Sequence, residues 1–193
     1  MSDLLAELQQ ALGGGAVQQI AAQLGTDNAT AGSAVGAALP MLVSALARNA
    51  ASPDGAAALH NALQRDHADG GALNDVAGAI SGHGDGPGAS ILGHIFGGQQ
   101  NAAAQGVGQA TGLGAQGGGA LLSILAPLVL GALGRRTAQG GLDAGGLAGM
   151  LAGQQQAMQG SGILGSLGRM LDANHDGSAL DDVAGMVGKL FKK

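Results

Sequence analysis

The first half of the chain places apolar residues at the spacing of an α-helix. Leucines recur through residues 4–12 and are followed by a run of three glycines. Val17, Ile20 and Leu24 repeat that spacing and are followed by Gly25. Because a helix turns once every 3.6 residues, each set lies on one face, and glycine commonly ends a helix. The pattern predicts two short amphipathic helices.

Two longer apolar segments follow, and each contains a proline. Ala29 to Ala47 and Leu113 to Gly134 carry no charged residue. Each approaches the roughly 20 apolar residues that a membrane-spanning helix needs. Polar residues interrupt both segments, however, and the densest apolar part, Ala120 to Leu133, is too short to span. We interpret both as buried core helices, with membrane insertion as the less favoured alternative.

Capping residues and glycine-rich stretches mark the boundaries between helices. Thr26 or Asp27 supplies a capping oxygen for the long helix that follows, and Ser52, followed by proline, starts the next helix. The stretch SGHGDGPGAS, at 81–90, predicts a linker, and the Gly-, Gln- and Ala-rich residues 97–119 predict a second loose region.

Two pairs of similar segments occur in the same order in both halves of the chain. AALPMLVSALARN at 37–49 resembles LAPLVLGALGRR at 125–136, and DGGALNDVAGAI at 69–80 resembles DGSALDDVAGMV at 176–187. The pattern indicates a tandem duplication. We therefore predict an all-α protein built from two pseudo-repeated, small-residue-rich helical units. Its predicted parts are a first helical unit 1–80, a Gly/Gln-rich linker region with a short helix 81–119, and a second helical unit 120–193.

Glycines recur every four residues in the second half, at Gly141, Gly145, Gly149 and Gly153. Four glycines inside a helix destabilise it by roughly 3 to 4 kcal/mol relative to alanine. A compensating close contact with another helix, within the molecule or between copies, explains the pattern. A flexible glycine-rich loop is the alternative.

An acidic run near the C-terminus, LDANHDGSALDDV at 171–183, matches much of an EF-hand loop. Alternating oxygen-bearing side chains and a glycine at the sixth position are what such a loop requires. The acid usually found at position twelve is replaced by Val183, so Asp181 or Asp182 has to close a shortened loop. The predicted calcium ligands are Asp172, Asn174, Asp176, Ser178, Asp181 and Asp182.

The same run is also a good helix start without any metal. Ser178 can cap the last helix, and Asp181 completes a capping box. In the equivalent stretch of the first half, Arg65 and His67 stand where Asp172 and Asn174 stand here. A cation in place of a carboxylate abolishes calcium binding, so the first stretch is predicted to be a capped turn only.

The charge and composition of the chain narrow the class of protein to which it can belong. The net charge is −5, only 11% of the residues are charged, and the one arginine pair is Arg135-Arg136, which disfavours nucleic-acid binding. There are no cysteines, so disulfides and thiolate metal sites are excluded. The N-terminus is acidic rather than basic, which predicts a cytoplasmic protein without a Sec-type signal peptide and leaves non-classical export open.

Catalytic motifs are missing from the sequence. The five histidines, at 60, 67, 83, 94 and 175, do not form a recognised ligand spacing, and there is no nucleophile elbow or phosphate-binding lysine loop. His60 and His94 are interpreted as helix-face residues, and a metal shared by His67 and Asp69 is disfavoured. We expect no enzymatic activity and name no catalytic residue.

Two runs resemble a known family. LGTDNATAGSAVGAALPMLVSALARNA at 24–50 and LDANHDGSALDDVAGMVGKLF at 171–191 are similar to the bacterial YidB-like family, known as domain of unknown function 937. The resemblance implies an all-helical protein, with homeodomain-like parts in some relatives, and it implies no reaction.

These inferences lead to a functional expectation. The chain is expected to be a non-catalytic binding or self-assembling helical protein, most simply a homo-oligomer, with a calcium-responsive loop near the C-terminus. The alternatives are a membrane-interacting helical protein and a DNA-associated helical module.

Overall fold

The structure, a computed structural model, describes residues 4–13, 15–82 and 88–161. Within these residues the regular structure is helical throughout and contains no strand, which confirms the all-α prediction. The helices in chain order are α1 (Leu4–Ala11), α2 (Gly15–Leu24), α3 (Asn28–Asn49), α4 (Pro53–Asp66), α5 (Gly71–Asn74), α6 (Val76–Ser81), α7 (Gly88–Phe96), α8 (Gln100–Thr111), α9 (Gly114–Gly140) and α10 (Ala144–Ser161). A 3₁₀ turn, Gly97–Gln99, joins α7 to α8.

Helix α9 is the centre of the fold and contacts every helix from α1 to α8. Between Leu121 and Gly134 all residues are buried except Ser123 and Pro127, which are half-buried. An apolar surface on all sides suits a helix that other helices surround. Helix α3, the other long apolar segment, buries residues from Ala31 to Ala47 against α2, α8 and α9.

Both long helices have the length and hydropathy of a membrane-spanning segment. Their most apolar windows have mean hydropathies of 1.5 for α3 and 1.8 for α9. In this fold 50% of the α3 window and 72% of the α9 window are buried against the rest of the protein. The two segments therefore serve as core helices here.

Local hydrogen bonds explain where α3 and α4 begin. Asp27, rather than Thr26, caps α3, because its carboxylate accepts hydrogen bonds of 2.9 Å from the backbone N–H groups of Ala29 and Thr30. The Thr30 hydroxyl also donates to this carboxylate, and these bonds hold the pKa of Asp27 below its usual range. Ser52 caps α4 by accepting from Gly55 N at 3.1 Å, as the sequence predicts.

Helices fill most of residues 97–119, where the composition predicts a loose region. Helix α8 and the first part of α9 form a hairpin in which two backbones touch. A methyl group at Gly118 would overlap the Ala104 carbonyl oxygen, and one at Gly108 would overlap the backbone of Gly114. Glycine composition therefore marks a close helix–helix contact here rather than a loop.

The evenly spaced glycines of the second half behave differently. Gly145, Gly149 and Gly153 lie within α10, whereas Gly141 ends α9 with a φ of 57°. A methyl group placed at Gly149 or Gly153 would have no atom of another described element within 4 Å. The segment is helical, but the predicted seam within the molecule is not formed at these two positions among the described residues.

The described chain up to Gln154 belongs to one compact unit. A second unit begins at Gln155, and of it the structure describes the end of α10. The two similar proline-containing segments lie in α3 and α9, but 176–187, the partner of 69–80, lies outside the described residues. The duplication and the predicted three-part division stay predictions.

Candidate binding groove

The predicted calcium loop lies outside the described residues. This applies to the whole ligand set, Asp172, Asn174, Asp176, Ser178, Asp181 and Asp182, and to the alternative cap at Ser178. Across 4–13, 15–82 and 88–161, no group of three or more His, Asp or Glu side chains is placed to hold a metal ion. The calcium site therefore remains a prediction.

The equivalent stretch of the first half is a turn closed by its own hydrogen bonds. Asp69 accepts from Gly71 N at 2.9 Å through its side chain, and its carbonyl accepts from the Asn74 side chain at 3.0 Å. Asp75 caps α6 by accepting from Gly78 N at 2.8 Å. The structure thus agrees with the prediction of a capped turn, and these two carboxylates accept hydrogen bonds from backbone N–H groups.

The arginine pair of α9 is also used within the fold. Arg135 donates to the Asn74 side chain at 2.8 Å, and its guanidinium lies against Gly70, where a Cβ would overlap it. Arg136 forms an ion pair of 2.8 Å with Glu7, in which the side chains are 21% and 27% exposed. These two cations therefore join α9 to the α5 turn and to α1.

A groove of about 440 Å³ lies between α4 and α7. Helices α3 and α9 contribute the remaining wall. Its apolar lining includes Leu46, Leu59, Ile91, Ile95 and Leu130. Small-molecule sites commonly have volumes of roughly 300 to 1,000 Å³ and are lined mainly by apolar side chains. The groove has the size and lining of such a site.

At one end of the groove, where α3 ends and α4 begins, two polar side chains are held by the backbone of α7. The Asn49 amide donates to the carbonyl oxygens of His94 at 2.8 Å and Ile95 at 3.4 Å. The Nδ1 atom of His94 lies 2.8 Å from the Ser90 carbonyl oxygen. Both residues are exposed, and these hydrogen bonds to α7 fix the orientation of their side chains.

At the other end, where α4 ends, the charged groups neutralise each other. Arg65 and Asp66 form an exposed ion pair of 2.9 Å, and the hydrogen bonds from Arg65 lower the pKa of Asp66. Burial lowers the pKa of His67, although Asp66 and Asp69 oppose this shift, and the lowered pKa favours the neutral imidazole. This end of the groove carries little net charge.

The sequence contained no signal that would have identified this groove. His60 and His94 lie on helices α4 and α7, as interpreted, but only His94 lines the groove. His60 instead bonds to the Leu142 carbonyl at 2.8 Å. A four-residue spacing from Ser90 to His94 is compatible with the bond they form, yet that spacing is too common to indicate a site.

The model of a bacterial protein family of unknown function, DUF937, matches residues 6–136 of the chain. The chain belongs to this family. The match extends from α1 to Arg136 in α9 and includes every residue that lines the groove. It ends before α10 and before the acidic run at 171–183, so the closing segment that resembles the family lies beyond it. No curated protein and no solved structure matches this DUF937 protein.

Proposed function

We propose that this DUF937 protein is a non-catalytic binding protein and that the groove between α4 and α7 receives its ligand. The groove itself carries the proposal, because it combines a volume of about 440 Å³ with an apolar lining and oriented polar groups at one end. Apolar pockets with a few convergent polar groups are the usual form of a small-molecule site.

The roles of the acidic side chains support binding rather than catalysis. Asp27, Asp75 and Asp143 each cap a helix, and Asp66 and Glu7 are paired with arginines. A carboxylate that acts as a general acid or base has to be free to exchange a proton with a substrate. These five carboxylates instead stabilise the fold.

Binding to the groove is tested with Nile red, an uncharged apolar dye whose fluorescence rises away from water. We expect Ala58→Trp, which fills the groove, to weaken dye binding by about tenfold or more. Ala57→Trp is the matched control, since Ala57 is an exposed neighbour on α4 that does not line the groove. Equal dye binding by both variants and the unaltered protein would exclude the groove as the site.

Self-assembly is the second part of the proposal, and the open glycine face of α10 favours it. Among the described residues, Gly149 and Gly153 have no packing neighbour within 4 Å of an added methyl group, which favours a contact of this face with another copy. Light scattering should then show an oligomer that Gly149→Leu and Gly153→Leu disrupt. A strict monomer at high concentration, with and without calcium, rules assembly out.

The calcium-responsive loop completes the proposal and rests on the acidic run at 171–183. Calorimetric titration of calcium should release or absorb heat with the unaltered protein, and Asp172→Ala and Asp176→Ala should remove the signal. If the unaltered protein gives no heat and its melting temperature does not move, the run is a helix cap alone.

The membrane and DNA alternatives make different predictions. A membrane protein that inserts α3 and α9 has to expose the core of this fold, so it co-sediments with vesicles only as that core opens. A DNA-associated module needs free cations, whereas Arg135 and Arg136 are bonded within the fold. Vesicle co-sedimentation and a salt-sensitive gel shift are the respective tests.

A further inference from the structure

We infer that the groove selects an elongated molecule with an apolar body and a hydrogen-bond donor at one end, a hydroxyl or amide N–H, which donates to Asn49 and His94. This inference rests on the proposed function and specifies the class of ligand. It follows from the hydrogen-bonding atoms of Asn49 and His94 that remain without a partner after these residues have bonded to α7.

Asn49 offers an acceptor. Its amide nitrogen donates to the backbone carbonyl oxygens of His94 and Ile95, and a carbonyl oxygen can only accept. This fixes which of the two amide atoms is the nitrogen and where it points. The remaining oxygen, Oδ1, bonds to no described residue and accepts hydrogen bonds only.

His94 offers a second acceptor for the same reason. Its Nδ1 atom lies 2.8 Å from the Ser90 carbonyl oxygen, so Nδ1 carries the proton. In a neutral imidazole the other nitrogen, Nε2, then accepts. No described residue bonds to Nε2. Because Asn49 bonds to the backbone of His94 itself, both acceptors lie at the same end of the groove.

Two acceptors at one end discriminate between head groups. A hydroxyl or amide N–H can donate to either acceptor, whereas an ionised carboxylate has only acceptor atoms and gains no hydrogen bond from Asn49 Oδ1 or His94 Nε2. Arg65 cannot compensate, because it is bonded to Asp66 and lies ten residues along α4 from Gly55, which is about 15 Å at the rise of a helix. An ammonium head group can also donate to the two acceptors, but no carboxylate lines this end to pair with its charge.

The rest of the groove defines the body of the ligand. Leu59 on α4 and Ile91 on α7 are half-buried and lie between the two ends, with Leu46 and Leu130 behind them. An alkyl chain placed along these side chains removes apolar surface from water on both molecules. An alcohol or amide with a straight chain of medium length matches this arrangement.

The test is displacement of Nile red by 1-octanol, octanamide and sodium octanoate at pH 8, which share one chain length and differ in head group. We expect the alcohol and the amide to displace the dye, and octanoate to bind about tenfold more weakly. His94→Phe should weaken octanol binding by about 3- to 10-fold, the value of one hydrogen bond, relative to dye binding measured in the same variant. His94→Gln, which keeps an acceptor, should retain the preference.

The results of these experiments distinguish a wrong head group from a wrong binding site. If octanoate binds as well as octanol, or if His94→Phe does not reduce the preference, the inferred head group is wrong while the groove remains a binding site. If no octyl compound and no dye binds, or if Ala58→Trp has no effect, the proposed function fails. Thermal unfolding of each variant shows whether it is folded under the assay conditions.

Discussion

Glycine has different structural roles in two glycine-rich regions of this protein. In the α8–α9 hairpin, Gly108 and Gly118 lie where two backbones touch, and a methyl group at either position would overlap main-chain atoms. In α10, no described residue packs against Gly149 or Gly153. The composition of the two regions is similar, but among the described residues only the first uses its glycines for a close backbone contact.

The difference shows what a glycine pattern can and cannot indicate. A regular four-residue spacing in α10 predicts a packed stripe, whereas the packed glycines in α8 and α9 follow no obvious period. A helical glycine is required only when another element lies opposite it at short distance. That neighbour comes from the tertiary fold, so the local spacing does not reveal it.

Gly118→Ala is expected to have the largest effect on stability. The added methyl group has to displace the Ala104 carbonyl oxygen, which belongs to the backbone and cannot rotate away. We expect a loss of about 3 kcal/mol or more in the free energy of unfolding, at the upper end of overpacking effects. Chemical denaturation measures it. A stability equal to that of the unaltered protein would show that the hairpin contact is not as close as described.

A second test concerns the C-terminal part of α9, where the contact with α1 is polar. Because the Arg136–Glu7 pair is largely shielded from water, we expect its double-mutant cycle to give a coupling of about 1 kcal/mol. The variants are Arg136→Met, Glu7→Gln and the combination. Additive effects of the two single changes would show that α1 packs on α9 without help from this pair.

The matched change in α10 should raise the free energy of unfolding, whereas Gly118→Ala should lower it. Gly149→Ala adds a methyl group to a helix interior where no other described element lies within 4 Å, and alanine reduces the entropy that the chain loses on folding. We expect a gain of about 0.5 to 1 kcal/mol in the stability of the helix. Denaturation followed by circular dichroism measures it, and a loss of stability would reveal a contact that this face makes in solution.

The smallest expected effect is a pH dependence at His67, whose carbonyl lies against Gly134 in another close contact with α9. Burial holds the folded-state pKa of His67 below its ordinary value of about 6.5, so the unfolded chain binds the proton more readily. The contribution of the neutral His67 side chain to the free energy of unfolding is complete above pH 6.5 and is lost as the pH falls below that value. His67→Gln should flatten the difference in melting temperature between pH 7.5 and pH 5. An unchanged pH profile in that variant would assign the effect to other groups.

Much of the helical fold could be predicted from particular residues. Leu4, Leu8 and Ile20 are fully buried, as their spacing predicts. Ser52 caps α4, and one of the two residues suggested for α3, Asp27, is its cap. These features depend on contacts within a few residues, which a sequence displays directly. The α8–α9 hairpin could not be predicted, since its glycines are explained only by the backbone opposite them.

The groove could not be predicted for a related reason. Asn49 ends one helix and His94 lies on another, 45 residues further along the chain, and neither belongs to a motif. The acidic run, in contrast, is visible in the sequence because a calcium loop draws its ligands from consecutive residues. Sequence patterns therefore favoured the local site, whereas the groove becomes visible only when four helices are assembled.

The position of α9 has a consequence for how the protein opens. Since α1 to α8 all pack on this one helix, none of them can leave without exposing part of it to water. The amide hydrogens in the middle of α9 should accordingly exchange with solvent only when the whole unit unfolds. Those of the first turn of α1 can exchange through local fraying, so the slowest protons of the chain should map onto a single helix.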